Sequence, residues 1–190
     1  MARLSENKID VPASLKELVD FLGGLSHRAP IDELRSLLNG LELSSQCLEK
    51  FALFGRTTYR RNMICEGPWF ELLCICWRSG QQSPIHNHAG STCGLRIMKG
   101  VATETIFEPT ETGLIKAVRT NEYSVGSVCS SQDQDIHQVS NLQAHGKDLM
   151  TLHIYSPALK QMETFSLTDN SREIYAPVNG DHRSHIGGNC

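Results

Sequence analysis

Apolar residues in the first fifty positions recur every three or four residues, and beyond Tyr59 they fall instead into short alternating runs. The first spacing is that of helices packed on one side; the second is that of half-buried strands. Residues 13–22, Ala-Ser-Leu-Lys-Glu-Leu-Val-Asp-Phe-Leu, predict a helix that Gly23-Gly24 ends. Pro30 opens a second helix, with Asp32 and Glu33 suited to its positive end, and Asn39-Gly40 stops it. A third short helix is expected over 44–51. Strands are expected over 57–64, 69–77, 83–88, 94–98, 102–107, 115–119, 127–129, 137–140 and 150–155. Residues 162–167 and 172–175 should pair as a last hairpin around Thr168-Asp-Asn-Ser171. The pattern predicts a mainly β chain, a small antiparallel β-barrel carrying an N-terminal cap of about three short helices.

Length and charge narrow the classes. A chain of 190 residues suits one domain, here a cap over 1–52, a barrel and hairpin over 53–178, and a flexible tail over 179–190 with His182 and His185 in solvent. A net charge of -3 with 18 scattered Lys and Arg residues gives no basic field for nucleic acid or an anionic membrane. No apolar run approaches the roughly 20 residues of a membrane span, and the first residues lack the apolar core of a signal peptide, so a cytoplasmic protein is expected. Seven cysteines at irregular spacing point to reduced thiols. Cys74 and Cys76, on one face of an apolar strand, are expected to be core residues, although their spacing also permits metal ligation.

The chemistry concentrates in three places. His86 and His88 share a face if their segment is a strand, and His137 can join them from a neighbouring strand. Three imidazoles suit zinc, iron, copper or nickel, so ligand type leaves the metal open. On the segment Tyr59-Arg60-Arg61-Asn62, Tyr59 and Arg61 share one face and Arg60 takes the other, which sends one arginine inward, where its planar fork can take a carboxylate. Thr151, His153 and Tyr155 form a third same-face set, a polar row that can orient a tyrosine hydroxyl.

The histidine spacing resembles the cupin family. Gly80, five residues, His86-Asn87-His88, four residues, Cys93, six residues and Gly100 follow its first motif, and Gly126, His137 and Asn141 follow its second. Gln132 and Gln134 replace the Pro and Gly there, and Cys93 stands where cupins usually carry a metal-binding glutamate. The resemblance implies a jelly-roll type of barrel with the histidines facing inward.

From about Tyr59 to Pro157 the chain further resembles cysteine dioxygenase, the thiol dioxygenase branch of the cupins. The resemblance implies one Fe(II) per chain on His86, His88 and His137, the carboxylate of L-cysteine on Arg61 with Tyr59 nearby, and a pocket lined by Ile75 and Trp77. The family's Ser-x-His-x-Tyr-Ser-Pro segment appears as Thr151-Leu152-His153-Ile154-Tyr155-Ser156-Pro157, which implies catalytic work for Tyr155, His153 and Thr151. Animal members cross-link a cysteine at the position of Cys93 to the tyrosine, which implies a Cys93-Tyr155 thioether. The implied reaction joins L-cysteine and O2 to give cysteine sulfinic acid, in a monomer. The alternatives are a 3-mercaptopropionate dioxygenase, whose members usually carry glutamine in place of Arg61, a non-catalytic cupin that binds a small ligand or metal, and a zinc or nickel enzyme.

Overall fold

The computed structural model describes residues 11–133 and 135–180. The helical spacing of the first fifty residues becomes a 3-10 turn over Ala13–Leu15 that runs into α1 (Lys16–Gly23), then α2 (Ile31–Gly40), then a 3-10 helix over Ser45–Phe51. The third element is thus a 3-10 helix. Each presents a leucine stripe inward: Leu15, Leu18 and Leu22, then Leu34 and Leu38, then Leu48 with Phe51, all buried.

The strands are β1 (Arg60–Gly67), β2 (Phe70–Trp77), β3 (Thr92–Lys99), β4 (Ala102–Pro109), β5 (Ile115–Tyr123), β6 (Val128–Gln132), β7 (Ile136–Ser140), β8 (Leu149–Ser156), β9 (Met162–Phe165), β10 (Arg172–Tyr175) and β11 (Asn179–Gly180). One sheet runs β11-β1-β2-β8-β3-β6, antiparallel except for the short parallel pair of β11 with β1. Opposite it, β5-β4-β7 and the β9-β10 hairpin are joined through the segment around His86. The strands therefore form a jelly roll of two facing sheets. The expected tail begins too early, because Asn179 and Gly180 pair with Arg61 and Asn62; residues 181–190, with His182 and His185, lie outside the described residues, as does Gln134.

Period-two alternation sorts the first sheet into two faces. Leu72, Cys74 and Cys76 of β2 and Met150, Leu152 and Ile154 of β8 pack against the helices, in one apolar cluster. Leu73, Ile75 and Trp77 with Leu149 and Tyr155 point the other way, between the sheets. Gly94 is where α2 comes closest. A Cβ there would lie 2.7 Å from Leu38 Cδ1 and 3.0 Å from Leu34 Cδ2, so the helix can sit on β3 only because that position has no side chain. The Cys74 and Cys76 thiols lie 3.8 Å apart in this apolar layer, away from the histidines, as the core reading expects. Among the described residues no helix is long and apolar enough to cross a membrane.

Candidate metal centre

The expected strand over 83–88 is not regular. Only Gln82 and His86 make ladder-type bridges, with Pro84, which has no N–H, between them. His86 exchanges both backbone hydrogen bonds with His137, each 2.9 Å, which fixes these two imidazoles side by side. Two residues on, the chain turns at Ala89 and Gly90, with φ of 44° and 90°, and His88 comes to the same point from the end of the segment. The histidines therefore converge through a bridge and a turn rather than through strand alternation alone.

Their ligand nitrogens lie within 4.8 Å of one another. Each imidazole is held from behind at Nδ1: His86 to the Pro84 carbonyl at 2.9 Å, His137 to Glu104 Oε1 at 2.7 Å, and His88 to Ser131 Oγ at 3.2 Å. A carbonyl and a carboxylate only accept, so His86 and His137 carry their protons on Nδ1 and leave Nε2 as a lone-pair donor. His88 Nε2 is buried without any hydrogen-bond partner among the described residues. A buried nitrogen left unpaired beside two others is what a divalent ion would satisfy, and outer partners of this kind orient metal-ligating histidines. The residues present fit such an ion.

Electrostatics agree with neutral imidazoles at His86 and His88. Burial, then the neighbouring His137, lowers the pKa of His86 to about 3, and the same two causes hold His88 well below its ordinary value. Glu104 behaves oppositely. Burial alone would raise its pKa, but the hydrogen bond and charge of His137, with Tyr123 and Arg119, lower it and keep a carboxylate behind the imidazole. Nothing in the histidine spacing points to Glu104; its signal in the sequence is one acid within the β4 run Ala102-Thr-Glu-Thr-Ile-Phe107.

Next to the histidines lies a cavity lined by Tyr59, Arg61, Ile75, Trp77, Cys93, His153 and Tyr155. Thr151 stands behind it. Trp77 Nε1 donates to Thr151 Oγ1 at 3.0 Å, His153 Nε2 meets that hydroxyl at 2.9 Å, and His153 Nδ1 meets the Tyr155 hydroxyl at 3.2 Å. This is one continuous polar row along β8. His153 is held neutral, first by burial and then by Arg61. Burial, then Cys93, raises the pKa of Tyr155, so its hydroxyl keeps its proton and can donate it. Cys93 and Tyr155 face each other across β3 and β8, and burial raises the Cys93 thiol as well. Tyr59 stacks on Trp77 at 4.5 Å between ring centroids.

Arg61 is 4 % exposed, with its guanidinium carbon 5.1 Å from the centroid of the Tyr155 ring. Burial works against its charge, and Tyr155 and Glu71 outweigh that, so its pKa is raised. Its Nη2 donates to Glu71 Oε1 at 2.7 Å and its Nε to Asn179 Oδ1 at 2.7 Å. No motif or spacing in the sequence points to Glu71 or Asn179. Yet Glu71 is the one charged residue in the fully buried strand β2, and such a charge requires a partner.

A jelly roll of cupin type with three inward histidines and a tyrosine beside them defines the class of the protein. The chain matches the family described as Cysteine dioxygenase type I over residues 5–168, and it belongs to that family. It is similar to Cysteine dioxygenase type 1 of Danio rerio, with 28% identity over 169 residues, 85% of this chain and 84% of the relative. The protein of that name from Rattus norvegicus is 27% identical over 160 residues, covering 81% of this chain and 80% of the relative. A solved structure from Klebsiella pneumoniae, of a conserved protein with a double-stranded beta-helix domain, is similar with a TM-score of 0.49 and 11% identity, over 58% of this chain and 81% of the other.

Proposed function

We propose that the protein is an iron-dependent cysteine dioxygenase, a single-domain enzyme that converts L-cysteine and O2 to cysteine sulfinic acid. The observation that carries this reading is the joining of three back-tethered imidazoles, a buried arginine and a protonated tyrosine around one cavity. His86, His88 and His137 would hold the metal. Fe(II) bound there would supply a Lewis acid that keeps the substrate thiol as thiolate and the electrons that activate dioxygen. Sulfur rises from thiolate to sulfinate, a four-electron oxidation matched by the reduction of one O2, both atoms of which end on sulfur.

The chain's own residues bind and orient. Arg61 takes the substrate carboxylate through the N–H groups that Glu71 and Asn179 leave free. Ile75 and the stacked Tyr59 and Trp77 wall the cavity and keep water from it. The Tyr155 hydroxyl donates a hydrogen bond where negative charge develops on oxygen, steered by His153, which Thr151 holds at its far nitrogen. The cross-strand placement of Cys93 beside Tyr155 supports a thioether between them, readable as the loss of two hydrogen atoms in the intact mass after turnover.

The test is dioxygen uptake by protein loaded with Fe(II) under anaerobic conditions, with L-cysteine and separately with 3-mercaptopropionate, and mass spectrometry of the sulfur product. Sulfinate from cysteine at the higher kcat/KM is expected. Preference for the amine-free thiol would move the protein to 3-mercaptopropionate oxidation. No uptake with either thiol would return the protein to a non-catalytic binding protein or to a zinc or nickel enzyme of another reaction type.

A further inference from the structure

The arginine that faces the cavity already has a counter-ion. Glu71, 3 % exposed, sits on β2 with its side chain on the face of Arg61, and the two pair at 2.7 Å with both side chains 4 % exposed. Glu71 is also tied down on its other sides: Oε1 accepts from the backbone N–H of Leu159 at 3.1 Å, and Oε2 accepts from Asn179 Nδ2 at 2.9 Å. Asn179 closes the ring by accepting from Arg61 Nε at 2.7 Å. The short parallel pairing of β11 with β1 brings Asn179 to this place, opposite Arg61 in register.

Two consequences follow from elementary electrostatics. A lone guanidinium this deeply buried would be strongly disfavoured, so Glu71 explains how Arg61 stays charged with no ligand present. The same carboxylate then repels a second one. An anion arriving on the open edge of the guanidinium meets a cation whose charge is already balanced, with a like charge across the fork. Arginine offers five N–H donors, of which Asn179 and Glu71 occupy two, so hydrogen-bonding geometry remains available while net attraction is reduced.

Resting on the thiol dioxygenase reading above, we infer that Glu71, held by Asn179, is a specificity-determining residue that weakens the preference of the Arg61 pocket for carboxylate-bearing thiols, so that the enzyme also accepts small aminothiols lacking a carboxylate. Cysteamine is the matching probe. It keeps the thiol and amine of cysteine and removes only the carboxylate, so comparison of the two isolates the contribution of Arg61.

The experiment measures kcat and KM of the iron-loaded enzyme for cysteine, 3-mercaptopropionate and cysteamine, alongside anaerobic Kd values by calorimetry, in wild type and Glu71→Gln. Glutamine keeps the oxygen that accepts from Arg61 Nη2 and from the Leu159 N–H and removes the charge, together with the one hydrogen bond that Oε2 accepts from Asn179 Nδ2. The expected result is a roughly tenfold fall in the KM and Kd of both carboxylate thiols relative to those of cysteamine, with the change in KM rather than in kcat. A purely packing role for Glu71 would shift all three thiols together, and that result, or an unchanged ratio, overturns the inference. If Glu71→Gln fails to fold, the wild type decides alone. A free charge-assisted contact discriminates by about thirtyfold or more, so a cysteine-to-cysteamine ratio of kcat/KM below that supports a screened arginine, and a ratio at or above it overturns the inference. Absence of turnover with every thiol would instead overturn the dioxygenase reading on which the inference rests, a result distinct from turnover with full discrimination.

Discussion

The two faces of the first sheet share a backbone and differ in nearly everything else. On the face toward the helices, Leu72, Cys74, Leu152 and Ile154 are wholly buried among leucines from α1 and α2. On the face toward the second sheet, equally buried positions of the same strands carry Glu71, Thr151, His153 and Tyr155. The apolar face is held mainly by buried area spread over many contacts. The polar face is held by named pairs, Arg61 with Glu71, Trp77 with Thr151, and His153 with Tyr155, each of which leaves a buried group unpaired if one member goes. One face supports the fold and the other stores the chemistry, and the cost of burying the second rests on the first.

Acid should separate the two faces most strongly. His86, His88 and His153 all have depressed pKa values, with burial the first cause in each. In the unfolded chain these imidazoles take protons below about 6.5, while in the folded chain they resist, so the unfolded state binds more protons and stability falls as pH falls. Each can contribute up to about 1.4 kcal/mol per pH unit, so the three together give a slope of up to about 4 kcal/mol per unit below pH 6. The stability is present at pH 7 and is lost toward the folded values, about 3 for His86. Urea titrations of metal-free protein between about pH 7 and pH 5 read the slope directly. A flat profile would mean that the polar face is open to water or that its imidazoles are already charged.

Leu152→Ala tests the other face. It removes a fully buried side chain from the helix-facing layer and should lower stability by about 2 to 5 kcal/mol, read by denaturant midpoint. The kcat/KM of the folded fraction should change by less than about twofold, since the energy of the apolar face is spread over many contacts. Loss of activity beyond the loss of folded protein would show that the helical layer transmits strain to the cavity.

The same contrast explains what was legible in the sequence. Periodicity identifies the helices, the β9-β10 hairpin and the alternating faces of β8, because apolar burial is a local pattern. His86, His88 and His137 stand out through residue type and glycine spacing. The extents are less legible: β1 starts at Arg60 rather than Thr57, and β5 runs on to Tyr123, since the edges of strands depend on the partner strand. The 3-10 form of Ser45–Phe51 is equally beyond a spacing argument. Glu104, Glu71 and Asn179 are missed because each acts through a partner far along the chain, His137 or Arg61, and no local period encodes that meeting. In the strands, the legible trace is a charge inside an apolar run, a demand for a partner without its address.

On the proposed reading, Arg61→Gln is the next smaller break in the polar face. It should raise the cysteine KM by up to about thirtyfold, equivalent to at most roughly 2 kcal/mol because Glu71 already balances the guanidinium charge, with metal content unchanged by elemental analysis. The variant also strands the Glu71 carboxylate, so part of any drop in stability belongs to that group and not to lost substrate contact. Thermal melts with and without cysteine separate the two. Unchanged cysteine kinetics would take Arg61 out of the binding site and leave it as the structural partner of Glu71.

The smallest expected effect is the most diagnostic for the row on β8. Thr151 serves through its hydroxyl, which accepts from Trp77 Nε1 and meets His153 Nε2, while its methyl group only fills space. Thr151→Ser keeps the hydroxyl and removes one buried carbon, so stability should fall by about 0.8 kcal/mol. Because the tether on His153 survives, kcat should stay within about twofold. Thr151→Val keeps the volume and removes the hydroxyl, leaving two donors or acceptors unpaired, and should be the more damaging of the two despite its better shape. If valine were tolerated and serine were not, the row would be a packing feature like the opposite face, and the orientation of the Tyr155 hydroxyl would have to come from Arg61 alone.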